Sequence, residues 1–196
     1  MNSSEKNSPS RGRTLLLAAA CVVLIGGLCA LVFRTSSPPV TAPVLAELSR
    51  HELQFTNGLT YRRGETNLFT GLMTEHYAPG GLRSRSAISN GLLNGLSQGW
   101  HTNGQLQIEE HFVDGVSHGS RTRWFADGTK ESAATIVHGV IEGVFRKWHP
   151  NGVRAQEISM SNGVPHGLSR AFAPDGALKN EVRLSRGVVV KDSAPL

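Results

Sequence analysis

Cysteine is nearly missing from this chain of 196 residues: Cys21 and Cys29 are the only two, and both sit inside one apolar run. With none downstream, a disulfide scaffold, a cysteine metal site and a thiol nucleophile are all excluded. Aromatic residues are few, at 6%, and charged residues reach only 18%. Positive charge is scarce beyond the N-terminus. Lys6, Arg11, Arg13 and Arg34 against Glu5 leave +3 in the first 34 residues, so the other 162 carry only +2 of the net +5. A nucleic-acid-binding domain would instead cluster Lys and Arg on one face of its fold. The chain also lacks a nucleophile elbow, a phosphate loop and a His-x-x-x-His pair. Glu109 and Glu110 are adjacent, so on a strand they point to opposite faces and cannot act together. Nothing here assembles a catalytic, metal or cofactor site, and the expectation is a protein that is not an enzyme.

One long hydrophobic run is present. Thr14 to Phe33 is twenty residues without a charge, which as a helix spans roughly 30 Å, the hydrocarbon thickness of a bilayer. Lys6, Arg11 and Arg13 precede it and favour an N-terminus held in the cytoplasm. The reading is a single-pass signal anchor in the inner (cytoplasmic) membrane over 14–33, after a cytoplasmic tail over 1–13. Everything beyond it is then periplasmic or extracytoplasmic. A cleaved signal peptide and lipidation at Cys21 are the alternatives, and both also place the remainder outside. Pro38, Pro39 and Pro43 then mark a semi-rigid Ser/Pro-rich linker over 34–46.

What the chain has in plenty is glycine, on a strict period. Gly71, Gly95, Gly119, Gly143 and Gly167 are spaced by 24 residues. Gly80, Gly104, Gly128, Gly152 and Gly176 follow nine residues later, and Gly91, Gly115, Gly139, Gly163 and Gly187 twenty residues later. Fifteen of the 22 glycines obey one rule, which we read as structural turn glycines in five copies over 71–94, 95–118, 119–142, 143–166 and 167–190. Asn or Asp precedes most of the second and third glycines, as at Asn103, Asp127, Asn151, Asp175, Asn90, Asp114 and Asn162. Both tolerate φ > 0, so each copy holds two reversals joined by strands too short for helices. In the longer strand one parity carries twelve apolar residues of twenty and the other five of twenty, which predicts one better-buried sheet face. Residues 47–70 read as a degenerate cap repeat and 191–196 as a tail; 44–54 suits either a short helix or an extended lead-in.

Five residues after the first glycine stand Trp100, Trp124, Trp148 and Phe172, which stacked copies would bring into an aromatic ladder with neighbours touching. Arg121, Arg123, Arg146, Lys147 and Arg170 fall on the short strands and suggest either a basic stripe for a partner or a solvated face. His101 and His149 repeat two copies apart, roughly 19 Å on sheet spacing, too far to share an ion.

The units Gly-Leu-Ser-Gln-Gly-Trp-His-Thr-Asn-Gly-Gln-Leu at 95–106 and Gly-Val-Phe-Arg-Lys-Trp-His-Pro-Asn-Gly-Val-Arg at 143–154 resemble the MORN-type (membrane occupation and recognition nexus) repeat. More closely they are similar to the bacterial variant of the YwqK-type toxin–antitoxin system antitoxin family. The resemblance implies an all-β fold, an elongated single-sheet meander of β-hairpins, here preceded by one transmembrane α-helix. The array itself, without a convergent site, is read as a module that binds a protein partner; the family name adds an antitoxin that binds a toxin as the alternative, and the basic stripe with the repeat name adds membrane lipid as a third reading.

Overall fold

The computed structural model describes residues 45–78 and 80–190. The expected tail over 1–13, the anchor over 14–33, the linker as far as residue 44 and the tail over 191–196 lie outside the described residues. Among the described residues no helix is long and apolar enough to cross a membrane.

The fold is all-β. A lead-in of β1 (Glu47–Ser49), a 3-10 turn (Arg50–Glu52), β2 (Leu53–Thr56) and β3 (Leu59–Arg62) precedes the array. Of the stretch 44–54, the described residues 45–54 are therefore extended with one 3-10 turn. The array runs through β4 (Gly71–His76), β5 (Leu82–Ser89), β6 (Leu92–Trp100), β7 (Leu106–Val113), β8 (Val116–Trp124) and β9 (Lys130–Val137). It continues through β10 (Val140–Trp148), β11 (Arg154–Ser161), β12 (Val164–Phe172), β13 (Leu178–Ser185) and the two-residue β14 (Val188–Val189). The strands that carry the aromatic position are not shorter than their neighbours, since β6 and β8 have nine residues against eight in β5 and β7. From β4 on, every strand pairs antiparallel with the next, so the sheet order follows the chain.

Two different turns close the hairpins, each for a local chemical reason. At the end of each copy both central residues have φ > 0, as in Asn90 (48°) with Gly91 (78°) and Asp114 (48°) with Gly115 (82°). This is the type I′ geometry that matches the twist of the flanking strands. His138 and Arg186 adopt the same conformation at 48° and 49°. The middle turn differs from expectation. There Gly104 N–H donates to the His101 carbonyl at 2.9 Å and His101 N–H to the Gln105 carbonyl at 2.8 Å, a three-residue loop in which only Gly104 has φ > 0. Asn103 is not left-handed; its Oδ1 accepts from Gln105 N–H at 3.1 Å. Asp127, Asn151 and Asp175 accept in the same way from Thr129, Val153 and Ala177.

The first glycine series also departs from the turn reading. Gly95, Gly119, Gly143 and Gly167 lie inside strands at φ of 81–104°, where the register slips against the preceding strand. They are bulge positions, not turns. Gly71 opens β4 for another reason: a Cβ there would run into the Ala46 carbonyl and the Phe69 ring.

The N-terminal cap is where one sheet becomes two. β1 pairs parallel to β4, while β2 and β3 form a separate two-stranded sheet. That ribbon and the segment after it are tied to the turn between β5 and β6, with Thr60 N–H on the Gly91 carbonyl at 2.9 Å and Gly91 N–H on the Phe69 carbonyl at 2.8 Å. It covers an apolar cluster of Leu53, Phe69 and Ile88, against which Leu48, Met73 and Leu93 pack. The first array strands have no earlier copy to stack on, and the ribbon supplies the missing layer. Leu53 is 2% exposed, and such burial contributes about 1.5–3 kcal/mol.

Candidate functional site

Strand register sorts the array's side chains onto two faces, because directly paired residues share a face and chain neighbours do not. Arg123 is paired with Ile108 and Ser132, and Ser132 in turn with Lys147. Arg121 lies two residues from Arg123, opposite Glu110. Arg146, by contrast, is paired with Ala133 and Glu157, Glu157 with Arg170, and Arg170 with Glu181. Arg121, Arg123 and Lys147 therefore share one face and Arg146 and Arg170 the other. The five do not form one basic stripe.

Most of that charge is also matched. Arg121 and Ser117 both bond the Glu110 carboxylate, with Arg121 Nε at 2.8 Å. On the opposite face Arg146 and Arg154 reach Glu157 at 3.3 and 2.7 Å, and Arg170 reaches Glu181 at 2.6 Å. The hydrogen bond with Glu181, followed by its charge, raises the pKa of Arg170 above the ordinary arginine value. This row alternates in sign across four strands, so positive charge does not accumulate. Arg123 and Lys147 are exposed and, among the described residues, have no carboxylate within 4.0 Å.

The face of Arg123 is the better-buried one, as the alternation implies. Ser86, Ile88, Glu110, Ser132 and Ile136 are its buried positions on β5, β7 and β9, and Ile136 is 1% exposed. Further along it Phe112, Phe145, Ile158, Met160 and Val182 are half-buried. Beyond the cap no second layer of described residues lies over them.

The aromatic ladder is interleaved rather than continuous. Trp100, Trp124, Trp148 and Phe172 end β6, β8, β10 and β12, and the residue opposite each is Leu106, Lys130, Arg154 or Leu178. One strand thus separates every ring from the next. Two strand spacings are about 9.6 Å, beyond the roughly 4.5–7 Å of ring contact. Lys130 fills one such gap, its Nζ 5.5 Å from the Trp148 ring centre. All four rings are half-buried. Among the described residues the ring pair that does form is His118 with His138, at 5.2 Å between centres.

Links between copies run through groups that sequence reasoning passed over. Tyr77 Oη donates to the Trp100 carbonyl at 2.8 Å, and His101 and His149 donate through Nε2 to the Trp124 and Phe172 carbonyls at 2.9 and 3.0 Å. These donors occupy one repeat position. Phe125 and Ala173 stand there in the other copies and have nothing to donate. Asn103 and Asn151 add a second link, each donating its side-chain amide to a carbonyl 23 residues on, Ala126 at 2.6 Å and Pro174 at 2.7 Å. A third is general: Gly115, Gly139, Gly163 and Gly187 donate N–H to carbonyls 22 residues back. Leu92, Val116, Val140 and Val164 lie against those same four glycines. A polar tip next to the aromatic position was the sequence signal for the first link.

Residues 93–114 and 141–162 match the MORN repeat variant. The matched stretches start two periods apart, and both contain Trp-His-x-Asn-Gly. They are the copies whose middle turn makes both side-chain links to the next copy. The MORN-variant copies alternate with one in which Phe125 and Asp127 replace the His and Asn. No curated protein matches the chain.

Proposed function

We propose that this protein is a non-enzymatic binding module, held in the cytoplasmic membrane by an anchor over Thr14–Phe33, whose repeat sheet binds a protein partner on the far side. One observation carries the reading: beyond the cap, the face bearing Phe112, Phe145, Ile158 and Met160 has no covering layer among the described residues, and Arg123 and Lys147, with no carboxylate within 4.0 Å among those residues, lie on it. Aromatic residues, Met and Arg are the types enriched where proteins meet. Successive copies repeat the motif along a strip, which suits occupancy of an extended surface better than turnover at a point. An antitoxin is the special case in which the partner is a toxin, and it rests on the YwqK-type resemblance alone. The lipid reading loses the basic stripe that suggested it.

A photocrosslinking residue placed at Phe145 or Ile158 in cells should yield one discrete protein adduct, and the same residue at Ser120 or Thr135 on the opposite face should not. Equal labelling from both faces would refute the assignment. For the anchor, a reporter active only outside the cytoplasm should be active when fused after Leu196, with an N-terminal tag retained in the membrane fraction. Release of a soluble product without that tag would show cleavage instead.

A further inference from the structure

The N-terminal cap holds a cavity that the sheet reading leaves unused. It is open, about 440 Å³, and lined among others by Arg50, Arg63, Arg83, His51, His76 and one carboxylate, Glu75. The chain is fixed there by several independent contacts. Ser49 N–H donates to Glu52 Oε2 at 2.8 Å, holding the 3-10 turn that presents Arg50 and His51. Arg63 N–H donates to the Glu52 carbonyl at 2.8 Å, which pins Arg63 to the same turn.

The guanidinium groups converge. Arg50 Nε lies 3.1 Å from Glu75 Oε1 and Arg83 Nη1 4.0 Å from Glu75 Oε2. Each also lies over a ring, Arg50 at 4.7 Å from the Phe55 centre and Arg83 at 5.8 Å from the Tyr77 centre. Two long side chains are thereby held, so a ligand would lose less of their rotamer entropy on binding. Arg63 is exposed and has no carboxylate within 4.0 Å among the described residues. Three guanidinium charges face one carboxylate and leave two positive charges unmatched.

We propose that this cavity is an anion site for a phosphate group, as free phosphate, a soluble monoester or a lipid headgroup. Glu75 already takes the place of a single carboxylate between Arg50 and Arg83. The two remaining charges match a dianion, and planar guanidinium forks suit the paired oxygens of phosphate. The site belongs to the cap and does not depend on what the repeat sheet binds.

The test uses the full chain in neutral detergent micelles, following the side-chain Nε–H resonances of Arg50, Arg63 and Arg83. Inorganic phosphate is titrated in one arm, and phosphatidic acid replaces phosphatidylcholine in the micelle in the other, with sulfate as the control. A saturable shift with phosphate in either arm, weakened at least about tenfold in Arg63→Gln with an unchanged melting temperature, supports the site. Arg63→Lys should fall between, since it keeps the charge and loses the fork. A response only to phosphatidic acid identifies a headgroup, and a response to inorganic phosphate identifies a soluble ligand. No saturable shift in either arm, an equal response to sulfate, or wild-type affinity in Arg63→Gln would overturn it.

Discussion

At Asp127 a single oxygen accepts from both the hydroxyl and the backbone N–H of Thr129, at 2.6 and 2.8 Å. Both bonds favour the charged form, the hydroxyl most, and they hold the carboxyl below the ordinary aspartate pKa although the residue is fully exposed. The sign follows from linkage. A depressed folded-state pKa contributes stability that is present above the unfolded pKa and lost as pH falls through the folded one. Thr129→Val should therefore move the Asp127 titration, followed by carboxyl-carbon NMR, up toward the ordinary value. Part of the shift should remain, because the backbone N–H is retained. An unchanged titration would mean that the hydroxyl does not bond the carboxylate in solution. Asn at this repeat position has a further capacity. Asn103 and Asn151 keep the turn bond and still have an amide for the next copy, which Asp127 lacks. Both residue types announce a turn in the sequence; only the neighbouring carbonyl separates their roles.

At the scale of a hairpin, the antiparallel ladder that joins each copy to the next is supplemented by a small set of bonds crossing 22 or 23 residues. Trp124 and Phe172, which end β8 and β12, lie beyond the ladder with the preceding strand, and a side chain from the preceding middle turn bonds the carbonyl of each. His101→Phe copies the natural residue of the following repeat, Phe125, and deletes one such bond. It should cost about 1 kcal/mol in urea unfolding, with little change in the slope against denaturant. Phe125→His, placed to reach the Trp148 carbonyl, should recover stability of similar size. If His101→Phe had no effect, water would have to serve that carbonyl equally well. The sequence could not assign these histidines a partner, because their acceptors belong to another copy.

For the array as a whole, each copy contacts chiefly its neighbours, so removal of a whole unit leaves compatible surfaces in place. Deleting Gly95–His118 joins Asn94 to Gly119. It puts Leu93 in the place of Ser117 as acceptor for Gly139, and Trp124 in the place of Trp100 as acceptor for Tyr77. That variant should remain folded and resistant to protease. Deleting Gly95–Leu106 removes half a period, leaves a strand without its partner and turns side chains to the wrong face. It should be digested rapidly. The same outcome for both deletions would mean that 24 residues is not the cooperative unit.

The period, two strands to each copy and the better-buried parity could all be read from the chain. Each depends on local rules: left-handed φ at glycine, and side chains that alternate every second residue. The longer strand of each copy could not, because the bulge glycine that extends β6 and β8 to nine residues shows only against the partner strand. Which glycines turn and which bulge could not be read, because Gly80, Gly95 and Gly115 look alike until the partner strand shows where the register slips. Nor could the fate of the five cations. Arg121 and Glu110 are eleven residues apart, as are Arg170 and Glu181, and each pair meets only because a hairpin of defined length brings two strands into that register. The ladder came out interleaved for a related reason, since a 24-residue repeat advances by two strands and the aromatic sits on only one of them. The cap was decided furthest from the sequence. Its ribbon folds over the sheet rather than extending it, because burying Leu53 against Phe69 and Ile88 requires three segments that meet only in the folded chain.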